Sequence, residues 1–240
     1  MISVCMATYN GEQYLREQID SILCQLGDED ELVISDDAST DSTCRIIESY
    51  DDKRIVLLHN DSGHFKWNFS NALQHAKGDY IYLADQDDVW LPGKVNACQK
   101  ALQQYDLVVT DCILTDERLN VIEPSFFKFY RSGPGILKNS INNTYFGACM
   151  AMRRNVLDAA LPFPQTIEVG HDIWLGLVAE SIGKVKFIRQ PLLYYRRHGK
   201  AITNLTSPLL TRSRRSFWTK VRSRFIVLNT LRQWRKARQC

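Results

Sequence analysis

The sequence of 240 residues contains no apolar run close to the roughly 20 residues that a membrane-spanning helix needs. Its first residues, Met1 to Cys5, lack the basic start and apolar core of a signal peptide. Its seven cysteines are odd in number and include no Cys-x-x-Cys pair. This cysteine pattern argues against a disulfide framework and against a structural zinc site. Together these absences predict a cytosolic protein.

Acidic residues are absent after Glu180. Residues 181–240 hold 16 Lys or Arg, whereas the first 180 residues hold 14 Lys or Arg against 27 Asp or Glu. An acidic body followed by a basic tail indicates that the tail meets a polyanion. The candidates are a membrane surface, a nucleic acid or a phosphorylated ligand.

Short strand-like runs alternate with helical patterns in the first half of the chain. This alternation predicts one α/β domain with a mixed, mostly parallel sheet flanked by helices. The second half is less regular, with short strands predicted near 107–109, 185–188 and 192–195. The strand-like runs of the first half are Ile2–Met6, Leu32–Ile34, Ile55–Leu58 and Tyr80–Ala84.

Polar clusters follow three of these strands, at 7–11, 35–41 and 85–88. In a parallel sheet ligands bind beyond the carboxyl ends of the strands, so the three clusters are expected to meet. Asp85 and Asp87 are two residues apart, which on an extended chain is roughly 6.6 Å on the same side. Such carboxylates suit Mg²⁺ with a phosphate ligand. The alternative is a polar turn that caps the next helix.

Three motifs together resemble the family 2 glycosyltransferases, which have the GT-A (Rossmann-like) fold. The resemblance covers roughly residues 1–200 and rests on Val4–Gly11, Val33–Asp41 and Gly78–Ile81 leading into Asp85–Asp88. The forms around Tyr9–Glu12 and Asp85–Pro92 look most like the rhamnosyltransferase-like branch, which builds bacterial surface polysaccharides such as O-antigen and capsule.

The resemblance implies a nucleotide-sugar site that uses Mg²⁺ or Mn²⁺. Asp37 would accept a hydrogen bond from the base, and Asp85 would face the ribose and the metal. Asp87 and His198 would complete the metal ligands, although a lone histidine often has another role. The remaining nucleotide-binding candidates, two of them arginines that would offset diphosphate charge, are Ala7, Thr8, Tyr9, Glu12, Lys66, Arg196 and Arg197.

The resemblance also implies a catalytic base in the second half of the chain. Asp172, in the segment Gly170–Trp174, matches the position of that base, and the alternative is a helix N-cap. Gly147, His171 and Trp174 are the candidates for acceptor contacts. His171 could instead be structural, and Trp174 could belong to the core.

The basic tail carries a helical pattern in which Trp218, Val221, Phe225 and Leu228 share one face. The pattern weakens beyond Leu231. It predicts a basic helix on an anionic membrane surface, through residues 209–240. The alternatives are a helix packed on the domain and a partly disordered tail, and no motif supports nucleic-acid binding.

The predicted organisation is a glycosyltransferase domain at 1–205 and a basic helical tail at 206–240. The domain has a nucleotide-binding half at 1–110 and an acceptor-binding half at 111–205. The expected activity is metal-dependent, inverting transfer of a sugar from dTDP-rhamnose or a UDP-sugar to a hydroxyl of a glycan or lipid-linked acceptor. The expected place is the inner face of the plasma membrane. The alternatives are a nucleotidyltransferase and a non-catalytic, membrane-associated nucleotide-sugar-binding protein.

Overall fold

The computed structural model describes residues 1–199 and 216–238. The predicted boundary between domain and tail, at 205 and 206, and the beginning of the tail at 206–215 lie outside the described residues. The helical part of the tail is described, apart from the side chains of Phe217 and Lys220.

Strands and helices alternate through the first half, as the sequence predicts. The described strands are β1 (Ile2–Thr8), β2 (Glu31–Asp37), β3 (Ile55–Asn60), β4 (Tyr80–Asp85), β5 (Val89–Trp90), β6 (Leu107–Thr115), β7 (Val121–Glu123), β8 (Met150–Arg153) and β9 (Val185–Arg196). The described helices are α1 (Leu15–Leu23), α2 (Thr43–Glu48), α3 (Phe65–His75), α4 (Lys94–Leu102), α5 (Phe126–Tyr130), α6 (Ile136–Ile141), α7 (Arg154–Ala160), α8 (His171–Ile182) and α9 (Phe217–Ala237). A 3-10 turn at Gly147–Cys149 precedes β8.

These strands form one mixed sheet in the described part of the chain. Its order is β3-β2-β1-β4-β8-β6-β9-β5, and β7 pairs with β6. The first four strands are parallel to one another. Strand β8 is antiparallel to both β4 and β6, so it joins the parallel half to the rest of the sheet. The structure thus confirms the predicted α/β class with a mixed sheet.

The apolar pattern explains why β1 lies in the middle of the parallel half. Val4, Cys5 and Met6 are fully buried, and a strand covered on both faces reads as a continuous apolar run. Gly78 lies before β4, where a Cβ atom would be 2.6 Å from the backbone nitrogen of Ser3. The close approach of these two segments therefore requires glycine.

The register of the parallel strands brings the three polar clusters to one edge. Ala7 of β1 pairs with Asp85 of β4, and Thr8 of β1 pairs with Asp36 of β2. Because the strands are parallel and in register, their carboxyl ends and the loops that follow them meet there. The predicted convergence of the clusters is confirmed.

The second half differs from the prediction at several elements, of which two belong to the sheet. The strands predicted near 185–188 and 192–195 form a single strand, β9, whose pairing with β6 shifts register around Asp111. Strand β8 has no counterpart in the prediction, because its apolar run is too short to show a period.

Helix α9 packs on the domain through Val227 and Leu231, which are buried. The indole of Trp234 donates a hydrogen bond to the carbonyl of Ala159 at 3.1 Å. Helical structure continues to Ala237, past the point where the sequence pattern weakens. None of the described helices combines the length and the apolar character that crossing a membrane requires.

Candidate active site

The loop after β1 is fixed by Gln86. The side-chain amide of Gln86 accepts a hydrogen bond from the backbone nitrogen of Tyr9 at 2.8 Å and donates one to its carbonyl at 3.0 Å. A Cβ atom at Gly11 would lie 2.3 Å from Oε1 of Gln86, so this arrangement depends on the glycine. The loop expected to hold the nucleotide is therefore joined to the acidic cluster that follows β4.

The candidates Ala7 and Thr8 end β1 beside this loop. The Thr8 hydroxyl donates to Oδ1 of Asp36 at 2.8 Å, and its carbonyl accepts a hydrogen bond from the amide of Asn68 at 3.0 Å. Asp36 also accepts hydrogen bonds from the backbone and hydroxyl of Ser39. Thr8 and Asp36 thus hold the strand end and the following turn in place.

Asp37 lies at the end of β2 and is buried. Its Oδ1 accepts hydrogen bonds from the amide of Asn60 at 3.1 Å and from the backbone nitrogen and hydroxyl of Ser62 at 2.7 and 3.0 Å. In the described part of the chain every hydrogen bond to this carboxylate reaches Oδ1. Two neighbouring residues thus orient the carboxylate through Oδ1, and no described residue donates a hydrogen bond to its second oxygen.

Glu12 has a different environment from the expected one. Its Oε2 accepts a hydrogen bond from the backbone nitrogen of Ser42 at 2.9 Å, in front of α2. Its own backbone nitrogen donates to Asp41 at 3.2 Å. Orphan N–H groups at a helix start attract carboxylates, so Glu12 joins the β1 loop to α2.

The acidic cluster contains Asp85, at the end of β4, and Asp87. Burial and the negative charges of Asp87 and Asp172 raise the pKa of Asp85 to about 7. The Nε2 atom of His198 lies 2.8 Å from Oδ2 of Asp87, and its ring lies 4.8 Å from that of Tyr14. The fold thus brings His198 across 111 positions of sequence to Asp87.

The two carboxylates are suited to a hard divalent cation, since carboxylate oxygens are the ligands that Mg²⁺ and Mn²⁺ prefer, and the imidazole of His198 is the softer member of the donor set. A cation would also offset the repulsion that raises the pKa of Asp85. Among residues 1–199 and 216–238, however, no three His, Cys, Asp or Glu side chains converge as a ligand cluster. Asp87 and His198 contact each other directly, so a metal would have to separate them.

Arg196 does not have the environment predicted for a residue that offsets diphosphate charge. The guanidinium is buried, donates to the carbonyls of Asp87 and Glu117 at 2.8 and 2.7 Å, and pairs with Glu17. A buried cation needs such partners to offset its lost hydration, so Arg196 fixes the backbone below the acidic cluster. Arg197 is half-buried and continues from β9, where its backbone nitrogen donates to the carbonyl of Thr115 at 3.0 Å.

Lys66, another predicted nucleotide-binding residue, also has different partners. Its ammonium is buried and donates hydrogen bonds to the carbonyls of Pro164 and Thr166 at 2.5 and 2.7 Å. It also lies 4.6 Å from the ring centre of Trp67, and burial lowers the pKa of Lys66 to about 8. Lys66 therefore ties α3 to the loop that leads into α8, rather than facing a diphosphate.

Asp172 lies in the first turn of α8. Its Oδ1 accepts a hydrogen bond from the backbone nitrogen of Ile173 at 2.6 Å, and its Oδ2 accepts one from the amide of Asn143 at 3.2 Å. Burial raises the pKa of Asp172 to about 6 despite these two donors. A Cβ atom at Gly147 would lie 3.8 Å from the Cβ of Asp172 and 3.1 Å from Nε2 of His171. Three of the predicted residues thus converge.

His171 is buried against Phe69, with ring centres 4.2 Å apart. Burial and the neighbouring charges of Lys66 and His64 lower the pKa of His171 to about 3, so the ring is neutral. Within the described residues neither ring nitrogen has a hydrogen-bond partner. A buried polar group without a partner is costly, and its Nε2 lies toward Gly147.

Trp174 is a core residue and not an acceptor contact. It is fully buried, and its indole nitrogen donates to the carbonyl of Ala160 at 2.9 Å. On a helix, two positions correspond to about 200° of rotation, so Trp174 points away from the face that carries Asp172. The core alternative is therefore correct.

The sequence interpretation missed several amides that support the site. These amides are Gln86, Asn143 and Gln18. Gln18 donates to the carbonyl of Asp85 at 2.6 Å. Neutral amides carry no charge pattern, so a sequence offers little to distinguish these from surface residues.

The fold is of the GT-A type, with carboxylates beyond the parallel strands and a further aspartate at the start of α8. The sequence model of Glycosyl transferase family 2 matches residues 3–161. The chain therefore belongs to this family. This assignment favours a glycosyltransferase over a nucleotidyltransferase or a non-catalytic binding protein.

Two relatives show different extents of similarity. A protein named as a glycosyltransferase, EpsE of Bacillus subtilis strain 168, is 37% identical over 123 residues, which are 48% of this chain and 44% of EpsE. The Escherichia coli UDP-Glc:alpha-D-GlcNAc-diphosphoundecaprenol beta-1,3-glucosyltransferase WfaP is 27% identical over 238 residues, 95% of this chain and 91% of WfaP. The chain thus spans less than half of EpsE and nearly all of WfaP.

Solved structures share the fold at low identity. S. aureus TarS 1-349 in complex with UDP-GlcNAc superposes with a TM-score of 0.68 and 20% identity, over 83% of this chain and 59% of that one. The mannosyltransferase PcManGT from Pyrobaculum calidifontis, in complex with GDP-Man and Mn²⁺, gives a TM-score of 0.59 and 21% identity, over 79% and 54% of the two chains.

Proposed function

We propose that this glycosyltransferase is metal-dependent and inverting, and that it moves a sugar from a nucleoside diphosphate to an acceptor hydroxyl. The observation that carries the proposal is the placement of Asp85 and Asp87 where β4 ends, beside His198 and near enough to Asp172 for its charge to contribute to the raised pKa of Asp85. Two of these carboxylates suit a metal-bound diphosphate, and the third suits an acceptor. Glycosyl transfer needs a site that binds the diphosphate of the donor and also takes the proton of the acceptor.

The nucleotide would occupy the loop at Ala7–Tyr9, with the base against Asp37. An imide N–H of uracil or thymine can donate to the second oxygen of that carboxylate, which is held in place by Asn60 and Ser62. WfaP is named for UDP-Glc and the TarS complex contains UDP-GlcNAc, which supports a UDP-sugar. The rhamnosyltransferase-like branch, with dTDP-rhamnose as donor, stays a prediction.

Asp85, Asp87 and His198 would hold Mg²⁺ or Mn²⁺. When bound, the ion stabilises the charge that grows on the departing diphosphate. The Mn²⁺ in the PcManGT complex supports this assignment. Arg196 would act indirectly, since it holds the backbone of Asp87.

Asp172 would serve as the base. The acceptor oxygen forms a bond to the anomeric carbon while the bond from that carbon to the diphosphate breaks, and Asp172 takes the hydroxyl proton. Attack opposite the leaving group inverts the configuration. The hydrogen bonds from Ile173 and Asn143 orient the carboxylate. Gly147 leaves space beside it for a sugar, and the free ring nitrogens of His171 could bond a sugar hydroxyl.

The acceptor would be a glycan or a lipid-linked oligosaccharide in bacterial surface polysaccharide synthesis. WfaP is named for a diphosphoundecaprenol-linked acceptor, which supports a lipid carrier. An enzyme with such an acceptor would work on the inner face of the plasma membrane, and the basic tail at 209–240 would attach it to anionic lipid.

The test is donor binding by calorimetry with UDP-glucose, UDP-GlcNAc, GDP-mannose and dTDP-rhamnose, with and without Mn²⁺ or Mg²⁺. The double variant Asp85→Asn and Asp87→Asn should bind the donor at least about 10-fold more weakly in the presence of the metal. Replacing even a residue that only supports a metal ligand typically costs about 10–100-fold in metal affinity. Asp158→Asn, an exposed acid on α7, is the control. Unchanged metal-dependent affinity in the double variant would remove the proposed metal site.

A further inference from the structure

In the part of the chain that the structure describes, helix α9 buries one apolar face and exposes another. Val227 and Leu231 are buried against the domain, as described above. On the other side Phe225 is 69% exposed, and Val221 and Leu228 beside it are 38% and 37% exposed. A contiguous group of apolar side chains is rarely left in water on a helix that is already docked, so the outer face indicates a partner.

Helix α6 extends this face with residues of the catalytic domain itself. Leu137 and Ile141 are 70% and 59% exposed, and Arg224 of α9 donates to the carbonyl of Ile141 at 3.1 Å. A cavity of about 550 Å³ between the two helices is lined by Leu137 and Leu228. The α6–α9 surface is defined here as Leu137, Ile141, Trp218, Val221, Phe225 and Leu228.

The charges around this surface favour lipid over a second copy of the chain. Residues 216–238 contain seven Lys or Arg and no acid, and three of these, Arg232, Arg235 and Lys236, line the same cavity. A symmetric dimer would place like-charged helices against each other. Anionic headgroups match the cations, while the lipid interior accepts the apolar side chains. Tryptophan is favoured at such an interface.

The surface also lies beside the proposed base. Asn143, two residues after Ile141, donates a hydrogen bond to Asp172. From α9, Ser223 donates to Glu168 at 2.6 Å, in the loop that leads into α8. Two residues of chain span at most about 7 Å, so the α6 end of the surface is close to the acceptor side of the site.

We propose that the α6–α9 surface inserts into the interface of an anionic phospholipid bilayer and turns the acceptor side of the site toward the lipid. The membrane contact is then shared by the catalytic domain and does not belong to the basic tail alone. This inference deepens the proposed function, since it places the acceptor at the bilayer surface.

Flotation of the full chain with vesicles tests the inference. The vesicles contain either phosphatidylcholine alone or equal parts of phosphatidylcholine and phosphatidylglycerol. The double variant Leu137→Ser and Ile141→Ser, confined to α6, should partition onto the anionic vesicles at least about tenfold more weakly, since burying one leucine is worth roughly that factor. Phe225→Ser should have a similar effect.

The matched control is the double variant Val121→Ser and Ile122→Ser, which changes two exposed aliphatic residues of β7 and should bind as the wild type does. Circular dichroism and melting temperature establish that each variant is folded. If the α6 variant binds vesicles like the wild type while Phe225→Ser does not, the shared surface is refuted although the tail still binds. A wild-type dimer that the α6 variant converts to a monomer in sedimentation would assign the surface to a second copy instead. Neither result depends on glycosyl transfer, so failure of the proposed activity is seen separately.

Discussion

Asp172 experiences opposing effects on its pKa. Burial raises it, whereas the hydrogen bonds from the Ile173 backbone and the Asn143 amide lower it, and the balance is about 6. A base must be ionised to accept a proton, so the fraction of active enzyme falls as the pH drops below this value. The sequence shows an aspartate at a helix start, but only its surroundings set the pKa.

The first prediction is the pH dependence of kcat/KM. Below about pH 6 it should fall by about tenfold per pH unit as Asp172 takes up a proton. Asn143→Ala removes a hydrogen bond that lowers the pKa, so it should move the midpoint to higher pH. Asn155→Ala, an exposed amide bonded to Asp106, is the control and should leave the profile in place. A midpoint that does not respond to Asn143→Ala would indicate that another group titrates.

Residue types in the sequence suggested chemistry, but several side chains have other partners. Arg196 and Lys66 were expected near phosphate because they are cationic and close to the motifs. Both are buried and bound to carbonyl groups. A buried cation is stable only where it has several acceptors, and those acceptors lie far away in sequence.

At the scale of elements, the loop between α7 and α8 depends on one side chain from α3. The Lys66 ammonium holds two carbonyls of this loop, and α8 begins at His171, followed by Asp172. The position of the base is therefore set by the contact between α3 and the loop as well as by α8 itself.

The second prediction concerns Lys66→Met. Loss of the charged hydrogen bonds should reduce the free energy of unfolding by about 2–3 kcal/mol, measured by urea denaturation. It should also lower kcat more than it raises the donor KM, because Lys66 positions the loop and does not contact the donor. Lys100→Met, an exposed lysine on α4, is the control and should change little. A large rise in donor KM with kcat intact would instead support a phosphate contact.

The strands and most helices of the first half could be predicted from the sequence, because their apolar periodicity is strong. Strand β8 and helix α6 could not, since each is too short to establish a period. The union of 185–188 and 192–195 into β9 depends on pairing with β6. That pairing is a long-range contact, which the local pattern does not contain.

On the scale of the whole molecule, α9 is joined to the domain by Trp234. Its ring packs edge-to-face on Trp174 at 5.9 Å, and its indole bonds to Ala159. Trp218, on the same helix, is largely exposed. Trp234 thus belongs to the docking face of α9, and Trp218 belongs to its outer face.

The third prediction compares these two residues. Trp234→Ala should lower the free energy of unfolding by about 2 kcal/mol, about half the cost of removing a fully buried tryptophan. Trp218→Ala should change it by less than about 0.5 kcal/mol, as is usual for exposed positions. Urea denaturation of the full chain measures both. Equal losses for the two variants would contradict the assignment of the faces.

The α/β class, the parallel first half and the meeting of three polar clusters could all be inferred from the sequence. The apolar periodicity that reveals strands and helices is local, and the carboxyl ends of parallel strands lie at the same edge of a sheet. The sequence also carried the motifs of the family. Three outcomes appear only in the tertiary structure. Lys66 and Arg196 bind carbonyl groups, Trp174 lies in the core, and α9 docks through one face while another stays exposed. These outcomes depend on contacts such as that between Lys66 and Thr166, which are 100 positions apart. Burial, hydration and pKa are set by neighbours in space, and the chain order does not show them.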